Sequence, residues 1–274
     1  MLSFIGETMI EIILETFKRY FITKQRAYPW SFFVSRLIRM AYTMIFSYIV
    51  YCLMANRSLT NAFVDVTSTT NYMTYVLVGT IVFTFSVASI LSVGRAYMGE
   101  VREGTFLSLL LTPASRTAYL LGVYLEQIVR YIPEILIALL FGKLFGVTIV
   151  IHNLLDFFIS VVVLLMAMFA FGVFMANLML FLRDTFITQN TVTTIIYLLC
   201  GISFPVGFLP YLVRIISYCI PVTLSIDLMR DVLLHHVSID YGKTIFLIIL
   251  SFLYYFTGIF LFKISERKHV ESFG

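Results

Sequence analysis

The stretch GEVREGTFLSLLLTPASRTAYLLG, residues 99–122, places charged residues and a proline between two long apolar segments of the chain. Gly104-Thr105 predicts the start of a short helix, with Thr105 as its N-cap. Glu100 and Glu103 lie just before that start, where the positive end of the helix dipole favours carboxylates. The stretch therefore predicts a capped helix inside a loop that joins two apolar segments.

The predicted loop helix, Phe106 to Leu111, is almost wholly apolar, and Pro113 limits how far it runs. An apolar helix facing the cytosol would be an exposed hydrophobic patch, which usually marks a docking surface. The alternative is a surface helix folded back onto the bilayer or onto neighbouring helices. The residues alone favour the two interpretations equally.

The composition assigns the chain to the integral membrane proteins. Of its 274 residues 60% are hydrophobic and only 12% are charged, and the mean hydropathy is +0.96. Soluble domains are about 45–50% apolar and about 25% charged. The net charge of +4 is too small to indicate a nucleic-acid partner. The three cysteines have no paired spacing and no nearby histidine, so we expect neither a disulfide framework nor a metal site.

Six segments are long and apolar enough to cross the hydrocarbon core, which takes roughly 20 helical residues. They are residues 33–54, 73–94, 118–142, 154–182, 187–209 and 243–263. We therefore expect an all-α integral membrane protein whose single transmembrane domain occupies residues 1–274.

Residues 1–30 differ from these spans, because apolar residues recur there at helical spacing opposite a charged face. The apolar face consists of Leu2, Ile5, Met9, Ile12, Ile13, Phe17 and Tyr20. This pattern predicts an amphipathic helix that lies in the membrane interface. The alternative is a cytosolic helix packed on a partner.

The distribution of Lys and Arg predicts the orientation, because basic loops stay cytoplasmic. With the N-terminus inside, thirteen of the nineteen Lys and Arg residues lie on the inner side and five on the outer side. Both termini are then cytoplasmic, and residues 95–117 form the main cytoplasmic loop.

A second irregular segment, residues 204–240, follows the fifth predicted span. Pro205, Pro210 and Pro221 break the helix repeatedly there. Irregular backbone at membrane depth persists only when it is buried in protein or lines a wet cavity. We expect a pair of short re-entrant helices that cap the outer side, and the alternative is an ordinary kinked outer loop.

Three charges lie within the third predicted span. Glu126, Arg130 and Glu134 are four residues apart and share one helix face. A charge at mid-bilayer costs at least about 2.5 kcal/mol unless it is paired or hydrated, so this face points into the bundle or a cavity. The charge ladder is either part of the transport path or its gate, or a structural ion-pair ladder that joins two spans.

Aromatic side chains are abundant, and many are ordinary lipid-facing or interfacial groups. Phe83 and Phe85 in the second predicted span, with Tyr197 and Phe204 near the fifth, are candidates to line an apolar cavity at a dimer axis.

We expect no enzymatic activity from this chain. The phosphate-loop pattern GxxxxGK[ST] fails at Gly242-Lys243-Thr244, because Val237 stands where the first glycine is required. Neither GxSxG nor HExxH occurs, and we expect no cofactor or metal ion to be bound by the chain itself.

The two irregular stretches resemble the cytoplasmic loop and the outer segment of ABC-2 type transporter permeases. In the loop the resemblance rests on Glu100, Gly104, Thr105, Leu109, Leu110, Thr112, Pro113, Ser115, Arg116, Leu121 and Gly122. In the outer segment it rests on Gly201, Phe204, Pro205, Leu209, Pro210, Pro221, Thr223, Asp227 and Arg230.

The resemblance implies that the loop is a coupling helix, which seats in a groove of a separate ATP-binding subunit. The residues it assigns to this coupling surface are Glu100, Glu103, Gly104, Thr105, Phe106, Leu109, Leu110, Pro113 and Arg116. ATP and Mg²⁺ would be bound by that ATPase, of which two copies are expected, and not by this chain.

The function implied is that of the permease subunit of an ATP-driven exporter in a bacterial or archaeal plasma membrane. Two permeases would pair, as a homodimer or with a homologous chain, to form the path for an amphipathic drug, peptide or lipid. One alternative is export of a polysaccharide or lipid-linked glycan by the same architecture. An alternative of another class is an ion-coupled secondary transporter, although the internal repeat typical of that class is not visible.

Overall fold

The structure, a computed structural model, describes residues 2–27, 34, 38, 41–43, 45–46, 48–49, 52, 67, 71–112, 115–147, 149, 151, 153–202, 204–234 and 239–271. Most of the first predicted span, residues 33–54, and Pro113 of the predicted loop lie outside these ranges.

Ten α-helices with defined bounds, and no strand, occur among the described residues. In chain order they are α1 Leu2–Ala27, α2 Tyr72–Gly94, α3 Ala96–Glu103, α4 Phe106–Leu111, α5 Arg116–Leu144, α6 Leu154–Leu182, α7 Phe186–Leu199, α8 Tyr211–Tyr218, α9 Pro221–Leu233 and α10 Tyr241–Glu271. A short 3₁₀ turn at Val206–Phe208 precedes α8. The expected all-α class is confirmed.

Three helical segments are long and apolar enough to cross a membrane among the described residues, namely Tyr72–Glu103, Leu154–Leu182 and Tyr241–Glu266. The helices α8 and α9 satisfy the same criterion only as a pair, and they are bent by 87° at their junction. A bend of that size gives either a broken span or a re-entrant loop. The helix α5 is also 29 residues long, but it carries the three charges of the ladder.

The fifth predicted span, residues 187–209, is too long, because α7 ends at Leu199. Gly201 has a φ of +64°, and Pro205 follows in extended backbone, so the helical hydrogen-bond ladder cannot continue. At 1.5 Å per residue, α7 is about 21 Å long and is shorter than the hydrocarbon core.

The helix α6 lies at the centre of the described fold and packs against α2, α9 and α10. Its small and flexible side chains allow close approach: Ala167, Met168 and Ala176 are completely buried. By contrast, α10 presents exposed apolar side chains along its length, including Ile249, Phe252 and Phe256. A surface of that kind needs lipid or another chain to cover it.

The amphipathic helix α1 packs along α5. Gly122 of α5 allows this close approach, since a Cβ there would lie 2.7 Å from the Ile13 carbonyl oxygen and from the Thr16 Cβ. Ile10, Leu14 and Ile22 remain exposed on α1. The predicted helix is present from Leu2 to Ala27 and packs on the chain's own third apolar segment.

Candidate functional site

Glu100 is the centre of a polar network beside the loop helix α4. Its side chain is only 3% exposed. It accepts hydrogen bonds from the Tyr119 hydroxyl at 2.9 Å and from the Thr105 hydroxyl. It also pairs with Arg19 of α1 at 2.9 Å, and Arg19 reaches Glu103 at 3.3 Å. One carboxylate therefore joins α1, α3, α5 and the start of α4.

The turn between α3 and α4 is closed by backbone hydrogen bonds, and its backbone conformation at position 104 favours glycine. Gly104 has a φ of +73°, a left-handed conformation that costs other residues about 1 kcal/mol. Its N–H donates to the Val101 carbonyl at 3.2 Å, and the Thr105 N–H donates to the Glu100 carbonyl at 2.9 Å. Thr105 stands at the predicted N-cap position, but its side chain does not cap α4. That detail of the prediction is wrong, because the Thr105 hydroxyl bonds to Glu100 instead.

The apolar side chains of α4 divide between an anchored face and an exposed face. Phe106 is buried, and its ring meets that of Tyr97 with centroids 6.1 Å apart. Leu109 and Leu110 are half-buried. Leu107 is 41% exposed and Leu111 is 85% exposed. One face of α4 therefore packs on the neighbouring helices and the other is open. That the open face is a docking surface stays a prediction.

Arg116 holds the C-terminal end of α4. Its guanidinium donates to the Leu110 carbonyl at 2.7 Å and to the Thr112 carbonyl at 3.2 Å. Carbonyls at the end of a helix lack intrahelical partners, and a nearby Arg both satisfies them and complements the helix dipole. The structure thus gives Arg116 a role within the loop.

Tyr20 of α1 extends the Glu100 network. Its hydroxyl oxygen lies 2.6 Å from that of Tyr119, which itself donates to Glu100. Burial raises the pKa of the Tyr20 hydroxyl to about 12. The hydroxyl therefore stays protonated at neutral pH.

The charge ladder on α5 has a partner on α1. Glu126 is completely buried, and it pairs with Arg130 at 2.7 Å and with Lys24 at 2.5 Å. Lys24 also donates to the Ser92 hydroxyl of α2 at 3.1 Å. Glu134 is buried two turns further along α5. Through Lys24 the ladder thus joins α5 to α1 and to α2.

Arg230 of α9 holds the irregular segment after α7 against α2. Its buried guanidinium donates to the carbonyls of Gly201 and Ile202, each at 2.8 Å, and to the Tyr75 hydroxyl at 2.8 Å. The guanidinium carbon lies 3.5 Å from the centre of the Tyr75 ring. These bonds satisfy backbone groups that the break in the helix leaves without ladder partners.

The other residues of the outer motif mark the turns of this segment. Pro205 precedes the 3₁₀ turn, Pro210 is the N-cap of α8, and Pro221 is the first residue of α9. Proline has no backbone N–H, but at the first helical position that N–H would have no intrahelical partner, so the helix loses nothing there. Asp227 is half-buried on α9, one turn before Arg230.

None of the four aromatic candidates lines the cavity among α1, α2, α3, α5 and α7 that is described below. Phe83 and Phe85 are buried, and their rings meet those of Tyr197 at 5.7 Å and Tyr131 at 5.1 Å. Tyr197 and Phe204 are each at least 40% exposed. Their place in a cavity at a dimer axis stays a prediction.

A cavity of about 830 Å³ lies among α1, α2, α3, α5 and α7. Its charged lining, among the described residues, consists of Arg19, Lys24, Arg95, Glu100, Glu103 and Arg130. Hydroxyl and amide side chains of α2, α5 and α7 contribute much of the remaining wall, with a few apolar positions of α2. The Glu100 network and the charge ladder therefore lie at the same cavity.

Sequence reasoning missed the residues that complete these networks: Arg19, Tyr20, Lys24, Tyr75 and Tyr119. Two features of the sequence indicate such partners. One is the basic face of α1, and the other is the pair of carboxylates Glu100 and Glu126, which require cations when buried. The partners lie 19 to 155 residues apart in sequence and on different helices, so spacing within one helix cannot indicate them.

The long apolar helices and the buried charges between them define a multi-pass integral membrane protein. The sequence model of the ABC-2 type transporter family matches residues 30–234, which is most of the chain. The chain therefore belongs to the ABC-2 type transporter family, and the predicted resemblance is confirmed. No curated protein matches the chain in the search that we made.

Membership of this family makes the chain a permease, the membrane part of an ABC transporter, and not the ATPase. Permeases of this family normally pair with an ABC ATPase. The matched range includes α2 to α9 and so contains both the loop helix and the outer segment.

Proposed function

We propose that this chain is the permease subunit of an ATP-driven exporter and that its ATPase docks on α4. The observation that carries the proposal is the division of α4 into two faces. Leu107 and Leu111 are open to solvent, whereas Phe106 is buried. An apolar exposed face on a rigidly held helix suits a groove in a partner protein.

The anchoring of α4 explains how movement of the ATPase would reach the spans. Phe106 ties α4 to Tyr97 of α3, and Thr105 ties it to Glu100. Glu100 in turn binds Arg19 of α1 and Tyr119 of α5. We infer that α1, α3, α4 and the start of α5 move together as a lever.

ATP and Mg²⁺ would bind in the partner ATPase, and this chain would respond to closure of the ATPase dimer. A nucleotide shifts the permease only if it binds the two conformations differently. Two permeases and two ATPases form the assembly in our proposal. The permease pair is either a homodimer or a heterodimer with a homologous chain.

We propose six spans with both termini in the cytoplasm of a bacterial or archaeal cell. Residues 33–54 supply the first span, and α2, α5, α6, α7 and α10 supply the rest. The bent pair α8 and α9 supports a re-entrant segment on the outer side, because Arg230 satisfies its interrupted backbone there. The cargo is an amphipathic drug, peptide or lipid.

Co-purification with the ABC ATPase encoded beside this chain tests the docking proposal. We expect Leu107→Arg and Leu111→Arg to reduce the recovered ATPase at least about tenfold, because a charge on the apolar face would be buried without a partner. Leu144→Arg is the matched control, since Leu144 is 78% exposed at the opposite end of α5. Recovery of the ATPase by both α4 variants at the wild-type level would refute the docking surface.

A further inference from the structure

The charges around the cavity among α1, α2, α3, α5 and α7 are balanced. The cations of its described wall are Arg19, Lys24, Arg95 and Arg130. Four carboxylates stand against them, two in the wall and two on the charge ladder of α5, namely Glu100, Glu103, Glu126 and Glu134. Arg19 pairs with Glu100, and both Lys24 and Arg130 pair with Glu126. This balance favours a ligand without net charge.

The wall that α7 contributes to the cavity is polar and uncharged. Four amide and hydroxyl side chains of α7 line it, from Gln189, Asn190, Thr193 and Thr194. Among the described residues, none of these four side chains makes a hydrogen bond. They form two pairs four residues apart, so they share one face of the helix. Polar groups of this kind need a partner, either water or a ligand that replaces it.

Gln127 of α5 adds a buried hydrogen-bond donor to the same cavity. Its side chain is only 2% exposed and lines the cavity, and its Nε2 atom has no acceptor among the described residues. Buried donors are satisfied in the great majority of cases. The missing acceptor points to a ligand that carries a carbonyl or hydroxyl oxygen.

One face of α2 gives the cavity an apolar strip beside these polar groups. Val87, Ala88 and Leu91 lie about one helical turn apart and line the wall. The volume of about 830 Å³ lies within the range of roughly 300–1,000 Å³ that is usual for small-molecule sites. A ligand that fits is uncharged, carries apolar groups, and both donates and accepts hydrogen bonds.

A peptide backbone meets these requirements better than a sugar does. Side chains four residues apart on α7 are about 6 Å apart along the helix axis. Amide groups on one edge of an extended peptide recur every second residue, at about 6.6 Å. By contrast, the aromatic ring of the described wall, Tyr20, already packs against Tyr119 and under the Lys24 ammonium, 5.5 Å from the ring centre. It is therefore a poor platform for a sugar ring to stack on.

We propose that this cavity binds a peptide segment of the cargo through its backbone amide groups. The amide and hydroxyl side chains of α7 bond one edge of the peptide, and Gln127 donates to a backbone carbonyl. The apolar strip of α2 packs against the side chains of the peptide. The inference rests on the proposed function only in treating the bound peptide as cargo.

Binding of an uncharged peptide to the full-length chain in lipid nanodiscs tests this inference. The probe is a capped tetrapeptide of alternating leucine and alanine with an uncharged fluorophore, and fluorescence anisotropy gives its Kd. Empty nanodiscs supply the background from partition into lipid. The matched peptide has the same side chains and label but N-methylated backbone amides. It should bind at least about tenfold more weakly, because its backbone has no donors left.

Variants of the polar wall place the peptide in this cavity. The double variant Thr193→Val with Thr194→Val removes two hydroxyl groups at nearly constant volume and should weaken binding about tenfold. Gln127→Met should weaken it about three- to tenfold. Thr191→Val is the matched control, because Thr191 lies on α7 and is exposed but does not line the cavity.

Equal binding of the two peptides to the wild-type chain, or wild-type affinity in both cavity variants, would overturn the inference. Displacement of the labelled peptide by maltotetraose at millimolar concentration would also overturn it, because the polar wall would then bind sugar. The comparison of the two peptides uses the wild-type chain and does not depend on the folding of a variant. The assay contains no ATPase, so its failure leaves the docking proposal intact.

Discussion

Arg230 shows how one side chain can stabilise a broken helix inside a membrane protein. Where α7 stops, the carbonyls of Gly201 and Ile202 have no helical donor, and a lipid environment offers none. The planar guanidinium reaches both carbonyls and the Tyr75 hydroxyl at 2.8 Å. An ammonium group has no such fork, so Lys would be a poor substitute.

Replacement of Arg230 should therefore destabilise the fold. Arg230→Met leaves two buried carbonyls and a buried hydroxyl without their donor, and we expect a loss of about 2–4 kcal/mol. Arg230→Lys should be intermediate. The measurement is thermal unfolding of the purified protein in detergent, with Lys143→Met as a control for the loss of an exposed cation. An equal midpoint for Arg230→Met and wild type would contradict this role.

At the residue scale, the important side chains were easier to predict from the sequence than the partners that they bind. The spacing of Glu126 and Arg130 indicated a contact within one helix, and the structure has it. Lys24 joins the same carboxylate from 102 residues away. Such a pairing depends on how α1 packs against α5, which local spacing does not determine.

At the scale of elements, the contact between α1 and α5 is set by the absence of a side chain at Gly122. Backbone and side-chain atoms of Ile13 and Thr16 occupy the place where a Cβ would stand. Interiors are close-packed, so even one added methyl forces a shift. The charged contacts of Arg19 and Lys24 depend on that approach.

Gly122→Ala should loosen α1 while the rest of the fold persists. We expect faster amide hydrogen exchange over residues 9–26 and unchanged exchange over α6. Gly99→Ala provides a matched control, because a Cβ at Gly99 meets nothing within 4 Å and the residue is helical. If both variants exchange alike over residues 9–26, the packing at Gly122 does not hold α1.

Element bounds were the most predictable part of this fold. Periodicity and apolar length located α1, α2 and α6 to within about three residues, since membrane thickness fixes helix length. The helix α10 continues eight residues beyond the predicted end of the sixth span, residue 263. The error at α7 has a physical cause. Residues 200–209 are apolar enough to be counted as part of the fifth span, but Gly201 and Pro205 end the helix. Hydropathy depends on side-chain polarity and does not report backbone conformation.

At the scale of the whole molecule, the two polar networks lie on one side of the fold and share a cavity. The Glu100 network links the loop helix to α1, and the Glu126 network links α1 to α2 and α5. The helix α1 is therefore common to both. In our proposal the docking of the ATPase on α4 acts on α1 through the Glu100 network.

The candidate site was predictable as a stretch of sequence but not as a surface. Residues 95–117 were identified from charge, Gly-Thr and proline, and the loop helix has the predicted bounds. Which of its side chains face outward depends on the packing of Phe106 against Tyr97. Leu107 and Leu111 are therefore the side chains of choice for a docking test, because Leu109 and Leu110 of the predicted coupling surface are half-buried.

The most direct test of the central claim is photo-crosslinking from α4 in intact cells. A benzoylphenylalanine at position 111 should give an adduct with the mass of the permease plus its ATPase. The same group at position 144, which is similarly exposed at the far end of α5, should give no such adduct. An ATPase adduct from position 144, or its absence from position 111 in a complex that still exports, would contradict docking on α4.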